Sequence, residues 1–330
     1  MFYLLYENCT EQIQLLQYVA EKMNIQCQLI DLMSENIEVE IRAENLLLNS
    51  HKITAEDFFY SNMSPEFPFI PMADTGGNNR CFSDSYVAAQ QKKSQAFSIL
   101  SLLSRKGLLL NSFEQLNSLH SQIDLLHRLE STGLKVTRYC VTDSLECLKQ
   151  NPLFGLPQLC WSSVELQSPI KRITASALPE LLFAKNHHPY IFYEPQHGRQ
   201  VRIWLLKGCP VLAALVYPPS CSQDNCSLET YEYILELDFF QQEASRIYEE
   251  FKLDFLEIQG VVDLDTQQLT AMGLDPLPVF TELEASGREW LAGQILSALS
   301  SVPSSLPEPQ NGPRQTVFLK KMLEPLIVSS

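Results

Sequence analysis

Glycine is scarce in this chain, with 12 among 330 residues. Glycine lets backbone curl closely around phosphate oxygens, so few positions are open to a phosphate-cradling loop. Basic residues are scarce too: 24 Lys and Arg face 39 Asp and Glu, a formal net charge of −15. That balance excludes a broad nucleic-acid surface, which needs clustered cations, and leaves room only for a local basic pocket. No apolar run reaches the ~18 residues that span a bilayer, so no membrane partner is expected. The opening MFYLLYENC lacks a basic stretch ahead of its short apolar run and does not read as a signal peptide. Zinc-type spacing is missing among the nine cysteines: Cys160 and Cys209 sit inside apolar runs, and Cys221 and Cys226 have no matching pair beyond them. This pattern reads as reduced thiols in a cytoplasmic protein.

What is present is globular. Hydrophobic residues make up 45% and charged residues 19%, enough for a sizeable core in about two domains. Phe2–Tyr6 reads as a strand. Thr10 is placed to cap a helix to about Met23, with Ile13, Leu16, Tyr18 and Val19 on its apolar face, and Cys27–Leu32 reads as a second strand. Together these make a parallel βαβ unit. Short alternating segments fill 38–60, and three prolines with Gly76-Gly77 mark 61–80 as a loop. Helical spacing returns over Ser83–Ser104 and Ser112–Thr132, separated by a short buried strand at 108–111, with Gly133 as a C-terminal cap. A strand at 136–140, a short helix Ser144–Lys149, a helix Phe239–Phe251, strands Leu256–Leu264 and Gln268–Leu274, and a helix Leu283–Leu299 complete the pattern. The four prolines of Val302–Pro313 mark a linker before an amphipathic segment, VFLKKMLEPLIV.

The densest signal is Pro189–Tyr217, PYIFYEPQHGRQVRIWLLKGCPVLAALVY. Gly208 sits at the tip of a hairpin, and Arg202 lies within the apolar Val201, Ile203 and Trp204. A strand sends alternate side chains to opposite faces, so Arg202 projects from one face while the apolar residues line the other. A cation on a sheet floor is a natural partner for phosphate, or else for a nearby carboxylate.

The order of four pieces resembles the ATP-grasp superfamily, in particular its glutathione synthetase and RimK-type branch of carboxylate–amine ligases. GLLLNSFEQLNSLHSQIDLLHRLESTGLKVTRY is similar to that branch's strand ending in Asn and the helix after it. PYIFYEP resembles the adenine-binding hinge strand. GRQVRIWLLKGCPVLAALVY resembles the hairpin that carries the phosphate-facing arginine. EASRIYEEFKLDFLEIQGVVDLDTQQLTAMGLDPLPVF is similar to the final helix and two metal-bearing strands. The resemblance covers about residues 105–300. It implies an α/β (α+β) fold: an N-terminal α/β domain (1–107), an ATP-grasp-like pair of subdomains with antiparallel sheets (108–300), and a tail (301–330).

The resemblance also implies site roles. Arg202 falls on the family's arginine, which stabilises phosphate or acyl-phosphate charge. Glu194 falls on the acidic hinge residue, with a surface turn glutamate as its plainer reading. Trp161 stands where the family has a phosphate-binding lysine, and no lysine follows until Lys171. A second lysine is missing near His120–Gln122, and SSVELQSPIKRIT replaces the glycine-rich loop. Gln259 stands where the first metal-binding aspartate belongs, with Asp263 or Asp265 as substitutes if the register slips. Asp275 falls on the family's asparagine, no glutamate precedes it, and Gln200 replaces the aspartate before the arginine. Magnesium wants several hard oxygen ligands, so ATP and magnesium are expected only in a weakened or altered role. Three readings follow: a ligase-derived protein binding a nucleotide, peptide or protein partner without ligase chemistry; an active, divergent carboxylate–amine ligase; and an α/β interaction module. His187, His188 and His197 lack metal-motif spacing, and Ser162, Ser163, Cys140 and Cys147 lack a nearby base in sequence.

Overall fold

The structure is a computed structural model that describes residues 1–7, 10–34, 36–42, 45–63, 79–155, 158–164, 170–179, 189–217, 221–222, 225–226, 230–234, 236–263, 268–300 and 302–309. Asp265, His187, His188, most of the 61–80 loop and the C-terminal amphipathic segment lie outside the described residues. Two compact units divide the chain, one formed by Met1–Ser118 with Val279–Glu308, the other built on Leu119–Pro278. Among the described residues no helix is long and apolar enough to cross a membrane.

The first unit opens with the expected βαβ. Strand β1 (Phe2–Tyr6), helix α1 (Glu11–Lys22) and strand β2 (Cys27–Asp31) follow one another, and β1 pairs parallel to β2 from Phe2↔Cys27 to Tyr6↔Asp31. Ile13, Leu16, Val19 and Ala20 are buried on α1, whereas Tyr18 is exposed, so the apolar face is narrower than the spacing predicts. Thr10 occupies the cap position without capping: its hydroxyl accepts from the Asn62 amide. A small antiparallel sheet of β3 (Val39–Arg42), β4 (Asn45–Leu48) and β5 (His51–Lys52) comes next, and β6 (Phe58–Ser61) pairs parallel with the other edge of β1. Helix α2 (Asn79–Arg105) buries Ala96, Ile99, Leu100 and Leu103, at helical spacing, in the core around Tyr3, Leu5 and Phe59. Residues 108–111 form no strand; Leu109 makes a single parallel bridge to Phe59.

The expected helix over 112–132 is two helices, α3 (Phe113–Asn117) and α4 (Gln122–Ser131). Serines account for the break: the Ser112 and Ser121 hydroxyls accept from the Gln115 and Asp124 N–H groups, so each starts its own helix.

The second unit is built on two large antiparallel sheets. The first has strand order β7-β10-β8-β9, from β7 (Tyr139–Thr142), β8 (Gln158–Ser163), β9 (Lys171–Thr174) and β10 (Tyr190–Tyr193). Helix α5 (Leu145–Gln150) lies between β7 and β8 in sequence, and its Leu148 packs with Leu159, Tyr190 and Phe192 on one face of that sheet. The second sheet is built on the hairpin β11 (Arg199–Leu206) and β12 (Cys209–Tyr217). After a short β13 (Cys221–Ser222) and β14 (Asn225–Cys226) come β15 (Thr230–Tyr233), helix α6 (Gln241–Phe251), β16 (Phe255–Val262) and β17 (Leu269–Asp275), giving the order β15-β12-β11-β16-β17. Lys207 (φ 49°) and Gly208 (φ 77°) form the hairpin tip, two successive left-handed residues that suit the twist of the flanking strands. A Cβ on Gly208 would lie 2.9 Å from the Tyr248 ring. Between β16 and β17 the register shifts at Gln259/Gly260, a bulge that leaves Met272 as the extra residue. The chain then returns to the first unit as helix α7 (Ala285–Ser300), which packs against α1 and pairs Glu289 with Lys22 at 2.9 Å.

Candidate functional site

Strand pairing decides what Arg202 meets. On β11 it lies opposite Gln259, and Trp204 lies opposite Glu257. Residues two apart on a strand share a face, so Glu257 is a diagonal neighbour of Arg202 on the same surface. The guanidinium takes it with two bonds, Nε to Oε1 and Nη2 to Oε2, both 2.7 Å, while Nη1 donates to the Tyr231 hydroxyl at 3.1 Å. The Trp204 ring centroid is 5.1 Å from Cζ, a cation–π contact. The Arg202 side chain is 12% exposed and Glu257 0%. Of the two partners weighed from sequence, this cation has found the carboxylate. The resemblance does not mark Glu257, but the period-2 alternation of FLEIQ puts it on one face with Gln259.

The next strand continues the two rows. Gln259 faces Gly273, and Glu257 faces Asp275. Asp275 is buried, and its Oδ1 accepts the Leu277 N–H at 2.9 Å in the turn through Pro276. Asp263 lies beyond the other end of β16, where its N–H donates to the Gln268 carbonyl at 3.1 Å. Six residues separate Glu257 from Asp263, about 20 Å of strand, so Asp263 and Asp275 do not share one centre. Among the described residues no group of three His, Cys, Asp or Glu side chains is gathered for a metal ion. Glu257 and Asp275 supply two carboxylates on one face, Gln259 a neutral amide and Gly273 nothing. Magnesium is usually held by one or two carboxylates together with the nucleotide's phosphates, and with both Glu257 oxygens taken by Arg202 this face has at most Asp275 left to offer, a thin donor set for the ion.

Trp161 is turned away from this region. On β8 it packs with the cluster of Leu148, Leu159 and Phe192 and meets the Tyr190 ring edge-on at 5.2 Å. Its neighbours Cys160 and Ser162 take the opposite face, where Cys160 packs with Tyr193, Val261 and Met272. Strand alternation thus puts Trp161, at the position where the family has a lysine, on the face of this sheet opposite Cys160. Lys171 stands directly across from Trp161 with Nζ 5.8 Å from its ring, so it shares that outward face. Ser162 is buried with its hydroxyl 2.9 Å from the Tyr193 hydroxyl; burial pushes that phenol up to about 12, so it is no base for a serine nucleophile near neutrality. Burial also raises the Cys140 thiol, which disfavours the reactive thiolate.

Glu194 follows β10. Its carboxylate pairs at two points with Arg138, and its N–H donates to the Arg138 carbonyl at 2.9 Å. Its own carbonyl accepts from the Thr137 hydroxyl at 3.1 Å and the Gln196 amide at 3.3 Å. The bonds from Arg138 hold the Glu194 carboxyl below its ordinary value. A cavity of about 200 Å³ lies between the two sheets. Cys160 and Ile170 line it from one side, Gln200, Val261 and Met272 from the other, and Pro195–Gly198 along the connecting segment. Gln200 is two residues from Arg202, so the cavity adjoins the Arg202–Glu257 pair. At Gly198 a Cβ would lie 2.3 Å from the Val262 carbonyl oxygen, which keeps that connection close to the sheet.

No family pattern matches the chain, and no curated protein matches it in sequence. Solved structures do match. The ATP-grasp ligase PsnB complexed with minimal precursor aligns with a TM-score of 0.71 at 15% identity, over 90% of this chain and 98% of that one. The macrocyclase MdnC bound with precursor peptide MdnA, from Microcystis aeruginosa MRC, aligns at 0.61 and 13%, over 90% and 99%. A RimK domain protein of ATP-grasp type from Sphaerobacter thermophilus DSM 20745 aligns at 0.54 and 11%, over 92% and 98%. At these identities the likeness establishes fold: the chain is mixed α/β, with the antiparallel sheets of the ATP-grasp ligases.

Proposed function

We propose that this chain is an ATP-grasp-fold protein that binds a peptide or protein partner and has lost most of the magnesium- and ATP-dependent chemistry of carboxylate–amine ligases. One observation carries the reading: the arginine placed to meet phosphate is neutralised within the chain by Glu257 at 2.7 Å on two edges. Breaking a buried pair of this kind costs about 3–5 kcal/mol, which an incoming phosphate would have to recover. The positions at which the family has the carboxylates and lysine that would help it do so hold Gln259, Gly273 and Trp161 in this chain. Peptide binding is supported by PsnB and MdnC, which were solved with precursor peptides, and by the match over nearly their whole length.

Thermal-shift titration with ATP and ADP, each with and without magnesium, tests this. A ligand that binds only the native state raises apparent stability, and no magnesium-dependent rise is expected. A clear magnesium-dependent rise would favour the second reading, a divergent active ligase using Arg202, Glu194, Asp263, Asp265 and Asp275, because structures of PsnB contain magnesium and ADP.

A further inference from the structure

The Glu257 carboxylate does more than balance a charge. It lies along the Nε–Nη2 edge of Arg202 with both oxygens engaged, the in-plane two-point geometry that carboxylates and phosphates share. Tyr231 takes the remaining edge at Nη1, and Trp204 stacks beneath. The chain therefore supplies its own oxyanion where a ligand's oxyanion would otherwise be received. Among the described residues that line the adjoining cavity, none is Lys or Arg, so the cleft carries little positive charge once Arg202 is committed.

We infer that Glu257 is the specificity-determining residue of this cleft: it reserves Arg202, excludes anionic ligands, and removal of its charge converts Arg202 into an oxyanion-binding site. The inference rests on the proposed loss of phosphate chemistry, because the same pair underlies both. Its physical basis is competition. A carboxylate fixed on the neighbouring strand acts at a high effective concentration against any anion from solution, and the pair's burial shields it from salt. The cleft of the natural chain thus favours uncharged groups, and the exclusion depends on one side chain.

The test uses the full chain with Glu257→Gln, titrated with inorganic phosphate at constant ionic strength against chloride, followed by thermal shift and phosphorus NMR line broadening. The wild type is expected to show no phosphate-specific response. The variant is expected to gain a saturable one, a rise of about 2–5 °C at tenfold excess over Kd, and to lose it when Arg202→Met is added. A response that persists in the double variant places the anion elsewhere and overturns the inference, as does an equal response in wild type. A silent Glu257→Gln beside a wild type indifferent to magnesium and ATP overturns the inference alone. A wild type stabilised by magnesium and ATP overturns the proposed function instead. Should Glu257→Gln fail to fold, Glu257→Ser, which also removes the charge and leaves room for an anion beside Arg202, is titrated in its place. A saturable phosphate response absent from wild type then supports the inference, and none overturns it.

Discussion

Arg202 with Glu257 and Arg138 with Glu194 are both two-point guanidinium–carboxylate contacts within the same unit. Their surroundings differ. Side-chain exposure is 12% and 0% in the first pair, 69% and 24% in the second. The first is fixed by strand register, with Tyr231 and Trp204 completing its enclosure; the second sits where the chain leaves β10 and water reaches both partners. Burial makes the first pair costly to break, because the surviving partner keeps a charge it cannot solvate. Exposure makes the second nearly dispensable, since water and salt replace what is lost. Two contacts that look alike on paper therefore play different parts: one closes a site and the other tidies a surface.

The largest effect is expected where the enclosed pair is broken. Glu257→Ala should lower unfolding free energy by about 3–5 kcal/mol, read from the midpoint of urea denaturation; a change inside error would mean that the pair is more hydrated than its burial indicates. Replacing both partners, Arg202→Met with Glu257→Met, should recover most of that loss, because a well-packed apolar pair avoids stranding a charge. The double-mutant cycle then reads the coupling directly. Gly208→Ala comes next, at about 1–3 kcal/mol, from the left-handed φ and the Tyr248 ring; it controls for general fragility of the same hairpin without touching either pair. Arg138→Ala should leave the urea midpoint where it is, and any residual effect should vanish in high salt.

The smallest effect concerns pH. Arg138 depresses the Glu194 carboxyl in the folded state, so the unfolded state binds the proton more readily. This contribution is present above the unfolded carboxylate pKa and disappears as pH falls through the lower folded value. Glu194→Gln should therefore lower stability slightly at neutral pH and leave it unchanged below the folded value, which flattens the acid limb of the profile. A large loss at neutral pH would show that the Glu194 carboxylate does more than hold Arg138.

Local pattern made the β1–α1–β2 unit and the hairpin tip at Gly208 legible in the sequence, because each rests on short-range periodicity or backbone conformation. The expectation that the apolar neighbours of Arg202 all take the opposite face holds for Val201 and Ile203 and fails for Trp204, which shares its face. Partners across strands were not legible. Which residue meets Arg202 depends on the register of β11 with β16, separated by about fifty residues of chain, and nothing local records it. Trp161 shows the same limit from the other side: alternation reveals that Trp161 and Ser162 face opposite ways, but not which of the two layers each one meets. The break in 112–132 was closer to hand, since Ser112 and Ser121 both carry the chemistry of helix starts, yet the leucine spacing runs through it.

The bulge opposite Gln259 has a consequence for how this strand pair can change over generations. Past it, every residue of β17 is displaced by one relative to β16, and only so does Asp275, rather than Leu274, come to stand across from Glu257. Loss of Met272 would restore an unbroken ladder and leave Asp275 across from Glu257, whereas a change that draws Met272 into the ladder as an ordinary rung would slip every later pair by one. Leucine would then replace aspartate across from Glu257, and the aspartate would move beyond it, with no substitution at either position. The acidity of this wall is thus written in spacing as much as in composition, and it depends on one residue staying out of the ladder.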